Sequence, residues 1–287
     1  MTPTVRSPIR SVASRSRGIG KLPGSIFEVV FRVITCNLNG IRAAARKGFF
    51  TWMDAQDPDV LCLQETKAQE HQLPPEALDL TRYNYAFVDA QKKGYSGVAV
   101  YAKQQPARIV RGLGMEDMDA EGRFVRMDFE NGLSVASLYV PSGTTGPARQ
   151  AVKENFLDRF IANLAQMKAE GHPFIVCGDY NIAHLDIDVF SVKSCTGVTG
   201  FLPQERAWMD DVLDRVGWVD AFRVARPDDK KQFTWWSGWK GAWENNLGWR
   251  IDYQLVTPDL APHVRSASIY RDERFSDHAP VTIDYDF

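Results

Sequence analysis

Two four-residue runs, Val60-Leu61-Cys62-Leu63 and Phe174-Ile175-Val176-Cys177, are apolar throughout and are followed within two residues by an acid, Glu65 and Asp179. A strand that alternates in polarity can face water on one side; one that does not must be covered on both faces. These runs therefore read as central strands of sheets buried between other layers, each ending in a carboxylate. They belong to a series of strand-type runs at 32–35, 59–63, 97–101, 124–129, 133–139, 174–177, 251–256, 264–270 and 281–284.

Helical spacing separates them. Over 148–169, Val152, Phe156, Phe160, Leu164 and Met167 recur every three or four residues, the mark of an amphipathic helix. A second helix is expected after Pro203, through Trp208, Val212 and Val216, stopping at Gly217. No repeat of solenoid period and no Pro- or Gly-rich linker divides 31–287. The pattern is α/β: two sheets packed face to face with helices outside, or one mixed sheet.

Residues 1–25 are rich in Ser, Arg, Pro and Gly and have no apolar core, so they read as a disordered basic extension to a domain at 31–287 rather than a secretory signal. The chain carries 34 basic and 36 acidic residues, and 31–287 alone holds 29 and 35, a net of −6. Such a domain can hold a phosphate polymer only through a local patch or a bound cation. No apolar run is long enough to span a bilayer. Cys36, Cys62, Cys177 and Cys195 lack metal-site spacing and read as reduced and buried in a cytoplasmic protein.

Acids and amides gather where strands end. Asn37 and Asn39 follow the first strand, Glu65 the second, Tyr139 closes the run before Pro141, and Asp179 and Asn181 follow Cys177. Asp252 opens a strand in Trp249-Arg250-Ile251-Asp252-Tyr253, and Asp277 with His278 precedes the last. Taken singly, each fits a turn or helix cap, above all Asn39; His278 alone fits a core histidine satisfied by Asp252, and Tyr139 plain strand packing. Together they supply hard oxygen donors, a base for water and a donor for a phosphate, which hydrolysis of a phosphodiester requires.

The segments Ile34-Thr35-Cys36-Asn37-Leu38-Asn39-Gly40-Ile41-Arg42, Leu63-Gln64-Glu65-Thr66-Lys67, Tyr139-Val140-Pro141, Gly178-Asp179-Tyr180-Asn181, Gly200-Phe201-Leu202-Pro203-Gln204-Glu205-Arg206, Gly248-Trp249-Arg250-Ile251-Asp252-Tyr253 and Ser276-Asp277-His278-Ala279-Pro280 occur in this order. The series resembles the exonuclease III-type abasic endonucleases of the endonuclease/exonuclease/phosphatase superfamily, over about 31–287. The resemblance implies a four-layer α/β sandwich, two mixed sheets flanked by helices, with the site at one end of the sheets. It implies a magnesium-dependent enzyme, manganese being a substitute and one or two ions left open. Its substrate would be duplex DNA with an abasic site or a 3′ end, cut by a monomer without membrane attachment. Glu65 and Asn37 would hold the metal, with Asp179, Asn181 and Asp277 near it. Asp179 would orient or deprotonate water and Asn181 hold it. His278, paired with Asp252, would stabilise the phosphate, and Tyr139 would donate to a phosphate oxygen. Arg42, Lys67, Lys193 and Trp249 would contact substrate, Trp249 as pocket wall in a region with five tryptophans between 235 and 249.

Two features pull away. The segment 191–198, where such enzymes carry Asn and Lys for backbone phosphates, has Lys193 as its one cation, so a weak grip on duplex is expected. Gly40-Ile41-Arg42-Ala43-Ala44-Ala45 and the C-terminal strand also resemble the catabolite repression control protein, a non-enzymatic RNA-linked regulator on the same fold. Other superfamily substrates form a third reading. The retention of Glu65, Asp179, Asp252, Asp277 and His278 favours the enzyme.

Overall fold

The computed structural model describes residues 30–78 and 81–287, so the extension read at 1–25 lies outside the described residues. In chain order the strands are β1 (Val30–Asn37), β2 (Val60–Gln64), β3 (Asn84–Val88), β4 (Val98–Ala102), β5 (Arg108–Arg111), β6 (Phe124–Asp128), β7 (Ser134–Tyr139), β8 (Phe174–Asp179), β9 (Val219–Asp220), β10 (Trp235–Trp236), β11 (Gly248–Trp249), β12 (Asp252–Val256), β13 (Val264–Ile269) and β14 (Val281–Asp286). One six-stranded sheet runs β13-β14-β1-β2-β4-β3, the other β5-β6-β7-β8-β12-β9, and β10 pairs with β11 in a short ribbon.

Both apolar runs sit where the sequence demanded. β2 is parallel to β1, and β8 is parallel to β7. Parallel neighbours need a crossover, supplied by helices Ile41–Arg46 and Phe49–Gln56 in the first sheet and by Pro147–Ala169 in the second. Side chains alternate across each strand. Val60, Cys62, Ile175 and Cys177 point between the sheets, where they meet Val100, Met127, Val135 and Ile283. Leu61 and Leu63 point outward onto Phe49, Trp52 and Met53. Phe174 and Val176 point outward onto Phe156, Phe160, Leu164 and Trp208. The result is four layers, helix, sheet, sheet, helix. Each fully buried side chain of this kind contributes about 1.5–3 kcal/mol.

The helix after Pro203 runs as Pro203–Asp210 and then widens into a π-helical turn, Asp211–Val216, before Gly217. All four cysteines are buried and free. No helix among the described residues is long and apolar enough to cross a membrane.

Register fixes the site. In β7–β8, Tyr139 pairs with Asp179; in β8–β12, Asp179 pairs with Asp252. Three adjacent strands thus deliver these three side chains at one level of the second sheet. Across the sandwich, β1 and β2 end at Asn37 and Gln64, which pair with each other.

Candidate active site

Asp179 stands at the meeting of the two sheets, almost wholly buried. Its carboxylate accepts from Asn37 Nδ2 at 2.9 Å, from the backbone N–H of Asn181 at 2.8 Å and from Asn181 Nδ2 at 3.3 Å. Burial pushes its pKa up to about 7; His278 opposes that shift and Asp252 adds to it. A buried carboxylate balanced near neutrality is suited to taking a proton. Asn181 is held in turn by donating to the carbonyl of Val140 at 2.9 Å.

His278 faces Asp179 from the loop before β14. Its Nδ1 lies 2.9 Å from Asp252 Oδ2, and its Nε2 lies 3.9 Å from Asp179 Oδ2. The second distance is too long for a direct hydrogen bond. Burial alone would discharge the imidazole. The neighbouring Asp252 carboxylate outweighs that, helped by Asp179 and Asp277, and raises its pKa to about 10. Asp252 is placed by the buried Thr234, whose hydroxyl accepts from the N–H groups of Ile251 and Asp252 at 3.0 and 3.2 Å. For Asp277 burial would raise the pKa, but His278, Asn39 and Ser276 together hold it below the usual carboxylate range.

Glu65 forms the third corner. Backbone bonds clamp its loop: Gly40 N–H donates to the Glu65 carbonyl at 2.8 Å, and Lys67 N–H to the Ser96 carbonyl at 2.8 Å. Gly97, at φ +90°, permits this approach, since a Cβ there would stand 2.2 Å from Thr66 Oγ1. The Glu65 carboxylate accepts from the Tyr139 hydroxyl and lies 3.0 Å from Lys67 Nζ. Tyr139, expected to donate to a phosphate, thus donates to Glu65 in this structure, its ring 4.8 Å beneath the Arg123 guanidinium. Asn39, read as a cap, instead bridges the site: its Nδ2 donates to Asp277 Oδ1 at 2.9 Å and its Oδ1 accepts from Lys67 at 2.5 Å. Asn39, Glu65, Lys67 and Asn181 all have φ between 47° and 53°. Left-handed backbone at non-glycine residues costs energy and gathers at functional sites.

These groups line a cavity of about 410 Å³. Its walls include Tyr95, Arg149, Thr199, Trp235 and Trp249, with Val198 at the rim. Trp235 donates to Asp277 at 3.3 Å and meets Trp249 edge to face at 6.1 Å. Trp236 is core, and Trp239 is 78% exposed. Arg42 lines an adjoining depression with Arg46 and Lys67, while Lys193 sits exposed on the short helix Val192–Cys195 outside the cavity. Cys195 is packed with Phe201 and Trp249.

The donor set fits a hard divalent cation, since Glu65, Asp179 and Asp277 bring carboxylate oxygens to one cavity and Mg²⁺ takes one or two such ligands plus water. Asp179, Asp252 and His278 also place one ligand atom each within 4.8 Å of one another and could hold a metal ion. A charged imidazole has no free lone pair, however, so that trio is better read as a proton-holding group.

Several residues that shape the cavity have partners that no sequence pattern indicates. Lys153 and Glu205 form a fully buried ion pair at 2.5 Å. Arg250 donates to Asp188 at 2.8 and 3.1 Å and forms an ion pair with Asp220 at 2.8 Å, locking β11–β12 behind Trp249. Arg123 and Arg149 both donate to the Tyr95 hydroxyl. Only the fold brings these partners together.

Residues 34–278 match the endonuclease/exonuclease/phosphatase family. The chain is 40% identical over 257 residues to an exodeoxyribonuclease of Bacillus subtilis (strain 168), covering 88% of this chain and 98% of the relative. It is 34% identical over 254 residues to DNA repair nuclease APEX1 of Danio rerio, covering 88% and 81%. Among solved structures, an AP endonuclease from Archaeoglobus fulgidus superposes with a TM-score of 0.82 at 28% identity, over 90% of this chain and all of that one. A 3′-5′ exonuclease from Neisseria meningitidis does so with a TM-score of 0.82 at 25% identity, over the same shares. With a match across most of its length and its acids converging at one end of the paired sheets, this chain belongs to the endonuclease/exonuclease/phosphatase family.

Proposed function

We propose that this cavity hydrolyses phosphodiester bonds of DNA at abasic sites and at 3′ ends, as a metal-dependent repair nuclease. The observation that carries the reading is the facing pair at its floor: a buried Asp179 poised to take a proton, 3.9 Å from an imidazolium held by Asp252. An oxygen of a bound phosphate, or a water in line with it, would bridge them from the open side of the cavity, with a hydrogen bond to each. Asp179 would hold and deprotonate that water, steadied by Asn181 and Asn37. His278, charged through the neutral range, would meet the negative charge that develops on the phosphate. Glu65, with Asn37 and Asp277, would hold Mg²⁺ or Mn²⁺; when bound, it supplies charge neutralisation at the phosphate oxygens. Tyr139 and Lys67, which contact Glu65, would turn to the substrate as the carboxylate takes up a cation. Trp249 and Trp235 would wall the pocket for an extruded sugar, and Arg42 would meet a neighbouring phosphate. The proposal extends to a monomer acting in the reducing cytoplasm, which four buried free thiols suit. The relatives' names, exodeoxyribonuclease and DNA repair nuclease, agree with this chemistry. No observation favours the non-enzymatic alternative, because the acids and His278 converge rather than scatter.

The test is a labelled duplex with one abasic analogue, run with magnesium beside an intact control. Cleavage at the lesion is expected, and it should stop with excess chelator. Glu65→Gln should raise the magnesium concentration for half-maximal rate by tenfold or more, with little change in melting temperature. Cleavage that persists in chelator would remove the metal from the reading.

Grip on duplex is expected to be weak, because Lys193 is the one cation in 191–198 and lies outside the cavity. The buried Cys195 cannot be made Lys without opening the packing behind Trp249, whereas Val198, 42% exposed at the rim, can. Val198→Lys should tighten binding to an abasic duplex and steepen the slope of log affinity against log salt by roughly 0.9. A steep slope in the parent protein would show that another basic surface does the holding.

A further inference from the structure

Lys153 and Glu205 lie 52 positions apart, both side chains fully buried, with Nζ 2.5 Å from Oε1. A buried ion pair is poor value as a stabiliser, since two ions must leave water and an apolar pair of equal volume often does as well. What distinguishes this one is where its remaining bonds go. Lys153 Nζ donates to the carbonyl of Asn181 at 2.7 Å. Glu205 Oε2 accepts from the N–H of Gly200 at 2.6 Å and of Leu202 at 3.0 Å. Its Oε1 accepts from Gln150 Nε2 at 3.1 Å, and Gln150 Oε1 accepts from Thr199 Oγ1 at 2.6 Å.

Asn181, Thr199 and Gly200 line the cavity; Lys153 and Glu205 do not. At Gly200 the walls also come close together, for a Cβ there would stand 3.0 Å from both the Asn181 carbonyl and the Trp249 ring. We propose that Lys153 and Glu205 are a positioning pair for the nuclease reaction: they fix the Asn181 loop, which steadies Asp179, against the Thr199–Gly200 wall. The inference rests on the function proposed above. A lysine suits the task because one ammonium donates at once to a carboxylate and a carbonyl. Positioning errors near 1 Å cost rate out of proportion to their energy, about a hundredfold in favourable cases.

Lys153→Met should lower kcat on the abasic duplex by tenfold or more with KM changed less than threefold, and should lower the melting temperature, because Glu205 is left buried without its cation. Lys153→Met/Glu205→Gln removes both charges and keeps an oxygen for Gly200 and Leu202. It should recover most of the melting temperature but not kcat, because Asn181 still lacks its donor. It also answers the question if the single variant does not fold. Recovery of parental kcat together with stability in the double variant, or parental kcat in Lys153→Met, would overturn the proposal. A parent protein that does not cut the abasic duplex would instead overturn the function on which it rests.

Discussion

Asp179→Asn lowers the single-turnover rate on an abasic duplex by about 10²–10⁴-fold, the span of a lost general base, while the duplex Kd stays level or falls. The amide cannot take a proton from water, yet it removes a negative charge from beside the phosphate. The exchange is also not silent in the apo fold. At present the carboxylate receives only donors, from Asn37 and twice from Asn181; an amide nitrogen placed there would confront one of them. Against that cost stands a gain whose pH dependence has a definite sign. The folded pKa of Asp179, about 7, lies above the ordinary carboxylate value. Its proton is therefore held more tightly in the folded state, and the parent loses stability as pH rises from about 4 toward 7. The variant lacks that loss. Its melting temperature relative to the parent should climb between pH 4 and about 5.5, a window in which His278 is largely charged in both folded and unfolded chains. A variant with near-parental rate would strip Asp179 of its role, and a melting difference flat across that window would contradict the raised pKa.

Legibility in the sequence followed the range of the interaction involved. Strands buried on both faces announce themselves through unbroken apolar runs, and the helix Pro147–Ala169 through its spacing, because burial acts on consecutive residues. The edge strands Asn84–Val88 and Arg108–Arg111 were not expected, being short and half exposed, with polar residues at one or both ends. At the site, the acids and His278 could be picked out because each ends or precedes a strand. Their partnerships could not: Asn37 meets Asp179 across 142 positions, and Tyr139 meets Glu65 across 74. The left-handed backbone at Glu65 and Lys67 has no signature either, since it is held by bonds from the Thr66 and Lys67 N–H groups to the Gly97 and Ser96 carbonyls. Cys195, read with the other cysteines as buried, owes that burial to packing with Phe201 and Trp249 and not to a strand, a partnership its polar loop does not announce.

His278→Ala should cost the reaction about 10²–10³-fold, the scale of removing one preorganised donor to developing negative charge. The loss alone would not separate a charged donor from a neutral one; Asp252 does that. Because burial by itself would discharge the imidazole, its high pKa depends on the Asp252 carboxylate first, then on Asp179 and Asp277. In the parent the imidazolium persists until pH nears 10, so the donor's charge should set no limit on rate across the neutral range. Asp252→Asn keeps a hydrogen-bonding group beside Nδ1 but removes the main charge. The His278 pKa should then fall toward the ordinary histidine value of roughly 6.5. The variant's rate should decline as pH rises through neutrality, tracing an alkaline limb several units below the parent's. The same sign holds for stability. A raised histidine pKa stabilises the fold fully below about 6.5 and loses that contribution as pH climbs to about 10. The parent's advantage in melting temperature over Asp252→Asn should therefore shrink over that interval. The decisive measurement is kcat against pH for both proteins, with metal saturating. Parallel profiles offset only in height would mean that His278 acts as a neutral donor, and the charge assigned to it here would be wrong.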